Sequence, residues 1–353
     1  MAGRIIVYGI GAIGGQAAGR LHSAGHDVIA VEPWAAQREA VARDGLRIAN
    51  LDGSIERHRP PVIAPDELSG QAELCLLAVK SYDTEAALER VLPHLAADTP
   101  LVSLQNSINE EWIAPRAGAA RVLGGVVLVN AVLLEPGLVT ATASVSRAAA
   151  GVRLPGLYVG EYLRPPGAQA RRVAALLEAV WPAEVIGDLM RERWTKLLTN
   201  TALNPVSGIG GLHSAAMLAD AAARRAIVQI AAEVLRVAAA EGHPFERVMG
   251  DFSASEVLEG AAGRSDAFER GLAGRAARVS ADAATSLLQD VLRGRRTEVD
   301  YFSGLVADKG RAHGVATPWC AAATSLVHEI ERGQRRPAES NLRELERRAL
   351  SAA

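Results

Sequence analysis

The fold is decided by Ile5-Ile6-Val7-Tyr8-Gly9-Ile10-Gly11-Ala12-Ile13-Gly14, a β-rich run that passes directly into the pattern G-x-G-x-x-G. The apolar residues predict a buried strand, and residues 12–24 predict the helix that follows it. In this setting Gly9 permits a tight turn, Gly11 lets the backbone approach a pyrophosphate, and Gly14 lets the helix pack on the strand. The helix N-terminus then holds the phosphates. The sequence therefore predicts a dinucleotide site at Gly9, Gly11, Ala12, Ile13 and Gly14.

The rest of the first half alternates short β-rich runs with helical patterns, which is typical of a parallel α/β sheet. The predicted strands are 5–8, 28–31, 74–79, 101–104 and 184–186, and the predicted helices are 12–24, 84–92 and 168–179. Residues 122–160 are strand-like, with a turn at Glu135-Pro136-Gly137. We expect a Rossmann domain to cover residues 1–187.

Helical periodicity takes over after Gly187. It indicates helices at 188–204, 215–242, 281–293 and 297–313, a loop with short helical pieces at 252–274, and a solvated helix in the charged tail 331–350. Residues 188–353 are therefore predicted to form a second, all-α domain.

The overall composition argues against several classes of protein. A net charge of -2 offers no electrostatic footprint for nucleic acid or an anionic membrane. No apolar run approaches the roughly 18–20 residues of a membrane span, and the apolar N-terminus is too short for a signal peptide. We expect a cytoplasmic protein with a small-molecule partner, and we assign no residue to a metal.

Glu32 ends the second predicted strand, eighteen residues after Gly14. An acid at this place accepts hydrogen bonds from the adenosine ribose hydroxyls and repels a 2′-phosphate, which favours NADH over NADPH. The alternative is an ordinary exposed charge at a strand end.

Lysine is rare in this chain: only Lys80, Lys196 and Lys309 stand among 38 basic residues. A lysine kept where arginine is otherwise preferred suggests a need for an amine that can titrate, although chance is the alternative. Lys196 recurs at four-residue spacing with Asn200 and Asn204, so the three share one helix face. That face predicts a polar cleft or, alternatively, a solvated surface, and Pro205 is predicted to end or kink the helix.

A second polar segment lies about one hundred residues farther along the chain. Thr297 is a candidate helix cap with Asp300 as its capping-box partner. Glu298 in the same turn could merely complement the helix dipole, and local evidence favours that reading.

Taken together, these motifs resemble the ketopantoate reductase (2-dehydropantoate 2-reductase) family over nearly the whole chain. The resembling pieces are the glycine loop, Ala78-Val79-Lys80, Leu104-Gln105-Asn106, Lys196 with Asn200 and Asn204, Ser286-Leu287-Leu288-Gln289-Asp290, and Thr297-Glu298-Val299-Asp300-Tyr301. The resemblance implies a C-terminal domain of the 6-phosphogluconate dehydrogenase-like type, a homodimer, and NADPH or NADH as cofactor.

The resemblance also implies roles for individual residues. Lys196 resembles the general acid and Glu298 the carboxylate that hydrogen-bonds the substrate, while Lys309 matches no site and is predicted to lie at the surface. The remaining positions resemble substrate-binding residues (Asn200, Asn204 and Ser286), a residue beside both nicotinamide and substrate (Asn106) and a residue near the adenosine end (Lys80). The implied reaction is reduction of a 2-oxo acid, with 2-dehydropantoate as the first candidate.

The sequence departs from the family pattern at three places. Asn106-Ser107 stands where members often have Asn-Gly, Ser214 stands where an asparagine can bind substrate, and Glu32 replaces the basic residue of NADPH-using members. Two alternatives stay open: an NAD-dependent 2-hydroxyacid dehydrogenase for a bulkier acid, and a nicotinamide-sensing protein without turnover.

Overall fold

The structure is a computed structural model that describes residues 3–143 and 154–352. The chain divides between Met190 and Arg191 into two compact units, which we call the N-terminal unit and the C-terminal unit. Part of the strand-like segment predicted at 122–160 lies outside the described residues.

The N-terminal unit is an α/β domain with a large and a small sheet. In chain order its elements are β1 (Ile5–Tyr8), α1 (Ala12–Ser23), β2 (Val28–Val31), α2 (Ala35–Asp44), β3 (Leu46–Ala49), β4 (Ile55–His58), β5 (Val62–Ile63), β6 (Leu74–Leu77), α3 (Thr84–Val91), β7 (Leu101–Ser103), α4 (Glu110–Ala117), β8 (Val122–Val127), β9 (Asn130–Glu135), β10 (Leu138–Ala143), β11 (Leu157–Glu161), α5 (Ala168–Leu177) and β12 (Ala183–Val185). The strand orders are β12-β11-β8-β7-β6-β1-β2-β5 and β4-β3-β10-β9.

The large sheet is parallel except where β8 meets β11, and both of its faces are covered. In β1, Ile5 and Val7 pack into the core on one face, while Ile6 and Tyr8 pack into the core on the other. Helices α1 and α5 cover the first face, and α3 and α4 cover the second. A strand buried on both faces reads as a continuous apolar run, and this explains why β1 could be predicted from sequence.

Strand β1 is the topological switch point of this sheet. It pairs in parallel with β2 on one side and β6 on the other, so the chain reverses its direction of winding there. Ligands of doubly wound sheets bind outside the carboxyl ends of the strands at such a point. The loops after β1, β2, β6 and β7 therefore form one edge, and four predicted functional segments lie on them.

Several elements of this unit were not predicted. Helices α2 and α4 and the short strands β3, β4 and β5 were missed, because their sequences are too polar or too short to show a clear period. The predicted turn at residues 135–137 is confirmed, since it joins β9 to β10 with Gly137 at φ +77°.

The C-terminal unit is helical, apart from a two-stranded ribbon. Its elements are α6 (Leu189–Gly210, which begins just before the unit boundary), α7 (Ser214–Ala219), α8 (Ala221–Ala240), β13 (Arg247–Val248), β14 (Phe252–Ser253), α9 (Ala254–Ala261), α10 (Ala267–Ala276), α11 (Ser286–Leu292), α12 (Ser303–His313), α13 (Pro318–Glu331) and α14 (Ser340–Ser351). Within the described part of the chain, no helix is both long and apolar enough to cross a membrane.

Three predictions for this half need correction. Pro205 was predicted to end or kink α6, and it does not end the helix, which continues to Gly210. The side chain of Leu287 packs against this last part of the helix at Gly208. The predicted loop at 252–274 holds the two helices α9 and α10. The tail helix α14 is not solvated all round, because Leu342 and Leu345 are buried and the helix packs on α13 and α8.

Candidate active site

The loop between β1 and α1 has the shape that a pyrophosphate requires. Gly9 adopts φ +88°, which is the conformation that glycine accepts without strain. A Cβ on Gly14 would lie 1.9 Å from the carbonyl oxygen of Gly9, so the helix can approach the strand only with glycine there. A Cβ on Gly11 would meet no atom of the described residues within 4 Å, which leaves open space at the helix N-terminus.

The backbone amides at the start of α1 complete the phosphate site formed by this loop. No side chain of the described residues caps the helix, whose N-cap is Gly11. The first amides of a helix have no intrahelical partner and favour an anion. The loop therefore fits the phosphates of a dinucleotide.

Glu32 is a buried carboxylate and not an ordinary exposed charge, being only 8% exposed. Its two oxygens accept hydrogen bonds from the backbone amides of Ile10 (2.7 Å) and Trp34 (2.8 Å). Burial raises the pKa of this carboxyl, and the two amide bonds and the nearby Arg38 counteract that rise. Because each carboxylate oxygen can accept more than one hydrogen bond, Glu32 can hold the glycine loop and still accept ribose hydroxyls.

Lys80 and Asn106 lie at the same edge of the sheet, after β6 and β7. Both are half-buried. The carbonyl oxygen of Asn106 accepts a hydrogen bond from the side-chain amide of Asn109 and one from the Ser81 hydroxyl at 3.5 Å. Gln105 donates from Nε2 to the carbonyl oxygen of Val79 at 3.1 Å, which ties the two loops together. The backbone around both predicted residues is thus fixed by its own hydrogen bonds.

Ser107 occupies the position at which family members often have glycine, and the structure shows what glycine would contribute. Its backbone adopts φ +70° although it carries a Cβ, and the residue is 3% exposed. A side chain in this left-handed region costs about 1–2 kcal/mol. The departure in sequence is therefore tolerated at a cost in stability.

In the C-terminal unit, one face of α6 carries the predicted polar residues. Asn204 donates from Nδ2 to the hydroxyl of Ser286 at 3.3 Å, which brings α6 to the start of α11. The Nδ2 of Asn200 is buried and has no hydrogen-bond partner among the described residues. A buried donor without a partner costs about 1–3 kcal/mol, and a bound ligand or a water molecule can supply the missing acceptor.

Lys196 shares this face and has an unusual proton affinity. Burial lowers the pKa of its ammonium to about 7, the positive charge of Arg193 adds to that effect, and the carboxylate of Glu298 opposes it. The side chain as a whole keeps some exposure, so the ammonium can exchange protons while its charged form is poorly solvated. A lysine of this kind can act as a general acid near neutral pH.

Glu298 is 4% exposed and lies at the start of a short 3₁₀ turn, Val299–Tyr301. The turn is anchored because the Thr297 amide donates to Oε1 of Glu331 at 2.7 Å and the Thr297 hydroxyl accepts from the Val299 amide at 3.2 Å. Asp300 pairs with His328 at 2.8 Å and is not the predicted capping-box partner. Glu298 therefore does more than complement a helix dipole, since its charge acts on Lys196.

Sequence reasoning missed two buried polar groups of the C-terminal unit and misplaced one lysine. Arg193 is 1% exposed and acts on Lys196, and its position three residues earlier on the same helix was the available signal. The Nδ1 of His213, just before α7, is buried without a partner among the described residues, and no pattern marks it. Lys309 is not a surface residue, because its ammonium lies 2.7 Å from Glu241 and its side chain is 15% exposed. Among the described residues, no group of His, Cys, Asp or Glu could hold a metal.

Comparison with solved structures places this architecture among known proteins. A ketopantoate reductase from Ralstonia eutropha aligns with a TM-score of 0.73 and 25% identity, over 94% of this chain and 99% of that one. A D-mandelate dehydrogenase solved with NADH and anilino(oxo)acetate aligns with a TM-score of 0.79 and 23% identity, over 94% and 99%.

Comparison of sequences identifies the family. The 2-dehydropantoate 2-reductases of Halobacterium salinarum and Archaeoglobus fulgidus are each 29% identical to the chain; the first aligns over 93% of this chain and 99% of its own length, and the second over 94% and 98%. Residues 5–150 match the family model "Ketopantoate reductase PanE/ApbA", and residues 188–331 match the model of its C terminal part. Because the two matches cover most of both units in the family's order, the chain belongs to the ketopantoate reductase family, and with it to the NAD(P)-dependent oxidoreductases that act on CH–OH groups.

Proposed function

We propose that this protein reduces the keto group of a 2-oxo acid, with 2-dehydropantoate as its first candidate substrate and Lys196 as the proton donor. The observation that carries the proposal is the place of Lys196 on a helix face shared with Asn200 and Asn204, near the buried Arg193 and Glu298, where burial lowers the pKa of its ammonium to about 7. A structural lysine has no need of such a pKa, whereas a general acid works best with a pKa near the operating pH. The names of the sequence relatives support the choice of substrate.

The nicotinamide, when bound, supplies the hydride that the carbonyl carbon receives. Negative charge then develops on the carbonyl oxygen, and the Lys196 ammonium stabilises it and donates a proton to it. Because burial and Arg193 disfavour the charged form, the ammonium releases its proton readily. An arginine at this place would supply charge but hardly a proton.

The neighbouring polar residues hold the substrate in this proposal. Glu298 accepts a hydrogen bond from the substrate, and its charge keeps the Lys196 pKa from falling further. Asn200 offers to a substrate oxygen its buried Nδ2, which has no partner within residues 3–143 and 154–352, and Asn204 with Ser286 forms the adjoining wall. Among these groups, the Nδ2 of Asn200 is a buried donor without a hydrogen-bond partner among the described residues, so a polar acid that supplies an acceptor to it gains binding energy.

The cofactor is assigned to the other segment of the chain. We propose that residues 1–187 bind the dinucleotide through the loop Gly9–Gly14, with Lys80 near the adenosine, Asn106 beside the nicotinamide, and Glu32 selecting NADH. Residues 188–353 then carry the proton donor and the substrate-binding residues. We also propose a homodimer, the state named for a Staphylococcus aureus ketopantoate reductase of the same fold, and light scattering on the purified protein tests it.

A second candidate is an NAD-dependent 2-hydroxyacid dehydrogenase for a bulkier acid. The buried Glu32 favours it, because a carboxylate at the end of β2 suits a ribose without a 2′-phosphate. The test is a steady-state panel of 2-dehydropantoate, aliphatic 2-oxo acids and aromatic 2-oxo acids, each with NADH and NADPH. We expect the highest kcat/KM for 2-dehydropantoate. A kcat/KM at least tenfold higher for an aromatic acid would establish the second candidate, and no turnover with any acid would indicate a sensor.

A further inference from the structure

Trp34 lies two residues beyond Glu32, and we propose that its indole is the platform on which the adenine of the dinucleotide stacks. The inference rests on the proposed dinucleotide site and adds a base-binding residue to it. It is carried by the hydrogen bonds that fix Trp34 beside the glycine loop and by the exposure of its ring.

The Glu32 carboxylate joins Trp34 to the loop between β1 and α1. One oxygen accepts from the Ile10 amide within the loop at 2.7 Å, and the other accepts from the Trp34 amide at 2.8 Å. A single carboxylate therefore bridges the backbone of Trp34 and the loop at which the pyrophosphate is expected to bind. This link uses only the backbone amide of Trp34, so it survives any side-chain substitution except proline.

Hydrogen bonds hold the backbone of the segment that carries the indole. Arg38, on the first turn of α2, donates from Nη1 to the carbonyl oxygens of Glu32 (2.7 Å) and Pro33 (2.8 Å). The ring of Pro33 fixes its own φ, and Trp34 is the N-cap of α2 in an extended conformation. A surface held in place before the ligand arrives loses little conformational entropy on binding.

Trp34 is more exposed than most tryptophans of this chain. Trp34 is 40% exposed, whereas Trp181, Trp194 and Trp319 are at most 7% exposed. Trp112, on α4, is the other exposed tryptophan of the described residues, at 38%. The two exposed rings differ in position, because Trp34 follows β2 at the carboxyl edge of the sheet and Trp112 lies inside a helix.

Ligand chemistry then selects adenine as the partner of this ring. If Glu32 accepts hydrogen bonds from the ribose hydroxyls, the base is attached one carbon away from the 2′-hydroxyl and must lie beside the residues that follow Glu32. Asp83, after β6, acts electrostatically on the Glu32 carboxylate, so a second acidic side chain lies near the expected ribose, and Trp34 would supply the aromatic face for the base. Aromatic rings stack on bases without a need for specific hydrogen bonds.

The test uses ADP-ribose, which carries the adenine but no nicotinamide, and the full-length protein. Dissociation constants are measured by calorimetry for the wild type, Trp34→Ala, Trp34→Phe and the matched control Trp112→Ala. Loss of a ring that stacks on a base weakens binding by about 5- to 150-fold, and we expect roughly 5- to 20-fold for Trp34→Ala at this exposed site. Trp34→Phe should stay within about threefold of the wild type because it keeps an aromatic face.

Intrinsic fluorescence provides a second readout that does not depend on turnover. Saturating ADP-ribose should quench tryptophan emission in the wild type and in Trp112→Ala, and the quenching should be lost in Trp34→Phe. Binding of Trp34→Ala within twofold of the wild type, equal losses in Trp34→Ala and Trp34→Phe, or quenching that persists in Trp34→Phe would overturn the platform. If the wild type itself bound no ADP-ribose, the dinucleotide site would be wrong, which is a different failure.

Discussion

Replacing Lys196 by arginine separates the two things that its ammonium supplies, a positive charge and a transferable proton. The structure gives the size of the expected loss in kcat/KM, because a pKa of about 7 makes the protonated fraction of Lys196 change within the accessible pH range. Reduction needs the protonated form, so kcat/KM should be constant below pH 7 and fall about tenfold per pH unit above it. At pH 9 only about 1% of the lysine is protonated, and the expected loss is about 100-fold. Oxidation of the hydroxy acid needs the neutral amine and should change in the opposite direction.

The assay is the pH profile of kcat/KM for the best 2-oxo acid, measured for the wild type, Lys196→Ala and Lys196→Arg. Loss of a general acid costs on the order of 10²–10⁴ in rate, so both variants should be slowed severely. Lys196→Arg should also lose the pH dependence above pH 7, since arginine stays protonated. Lys309→Arg is the matched control, because Lys309 pairs with Glu241 and should leave the profile unchanged.

Two results would refute this reasoning. If Lys196→Arg kept more than about a tenth of the wild-type kcat where chemistry limits turnover, the lysine would supply charge and not a proton. If Lys196→Ala also kept more than about a tenth of the wild-type kcat, Lys196 would be structural, and α6 would not be the helix that carries the proton donor.

The other predictions concern the cofactor, the substrate face, the strained loop and the division of the chain. Glu32→Gln removes the charge and keeps an acceptor oxygen for only one of the two amides, those of Ile10 and Trp34, that donate to Glu32, and the ratio of kcat/KM for NADPH over NADH should rise about tenfold, or about 1.4 kcal/mol. A wild type that already prefers NADPH tenfold would contradict the role of Glu32. Asn200→Leu removes an unpartnered buried donor and should raise the free energy of unfolding by about 1 kcal/mol while raising KM, and a less stable variant would show that Asn200 has a structural partner. Ser107→Gly should be more stable than Ser107→Ala by about 0.5–1 kcal/mol in chemical denaturation, because both lose the hydroxyl and only alanine keeps the strained Cβ; equal stabilities would disprove the strain. A fragment of residues 1–187 should bind NADH in fluorescence titration without any turnover, and catalysis by it would place the proton donor in that fragment.

Some of the missed structure has a common physical cause. Strands β3, β4, β9 and β10 form the small sheet. Its central pairing joins β3 to β10, which are about ninety residues apart in the chain, as Arg47 and Leu138 show. The sequence of β4, Ile-Glu-Arg-His, carries one apolar residue and shows no period, so only the partner strands make it a strand. Helix α6 likewise continues past Pro205 to Gly210, although local propensity disfavours proline in a helix interior.

The sequence by itself determined the glycine loop, the two-sided burial of β1 and the polar face of α6. Each of these features depends on residues that are close in the chain and on a fixed period, so it can be predicted from the amino-acid sequence. Only the tertiary structure decided that Glu32 is buried and holds the loop through Ile10, that the Nδ2 of Asn200 has no hydrogen-bond partner among the described residues, and that burial lowers the pKa of Lys196 to about 7. These properties arise from desolvation and from charges such as Glu298, about one hundred residues away in sequence. Proton affinity and hydrogen bonding are set by whatever the fold brings into contact, and no local pattern records that.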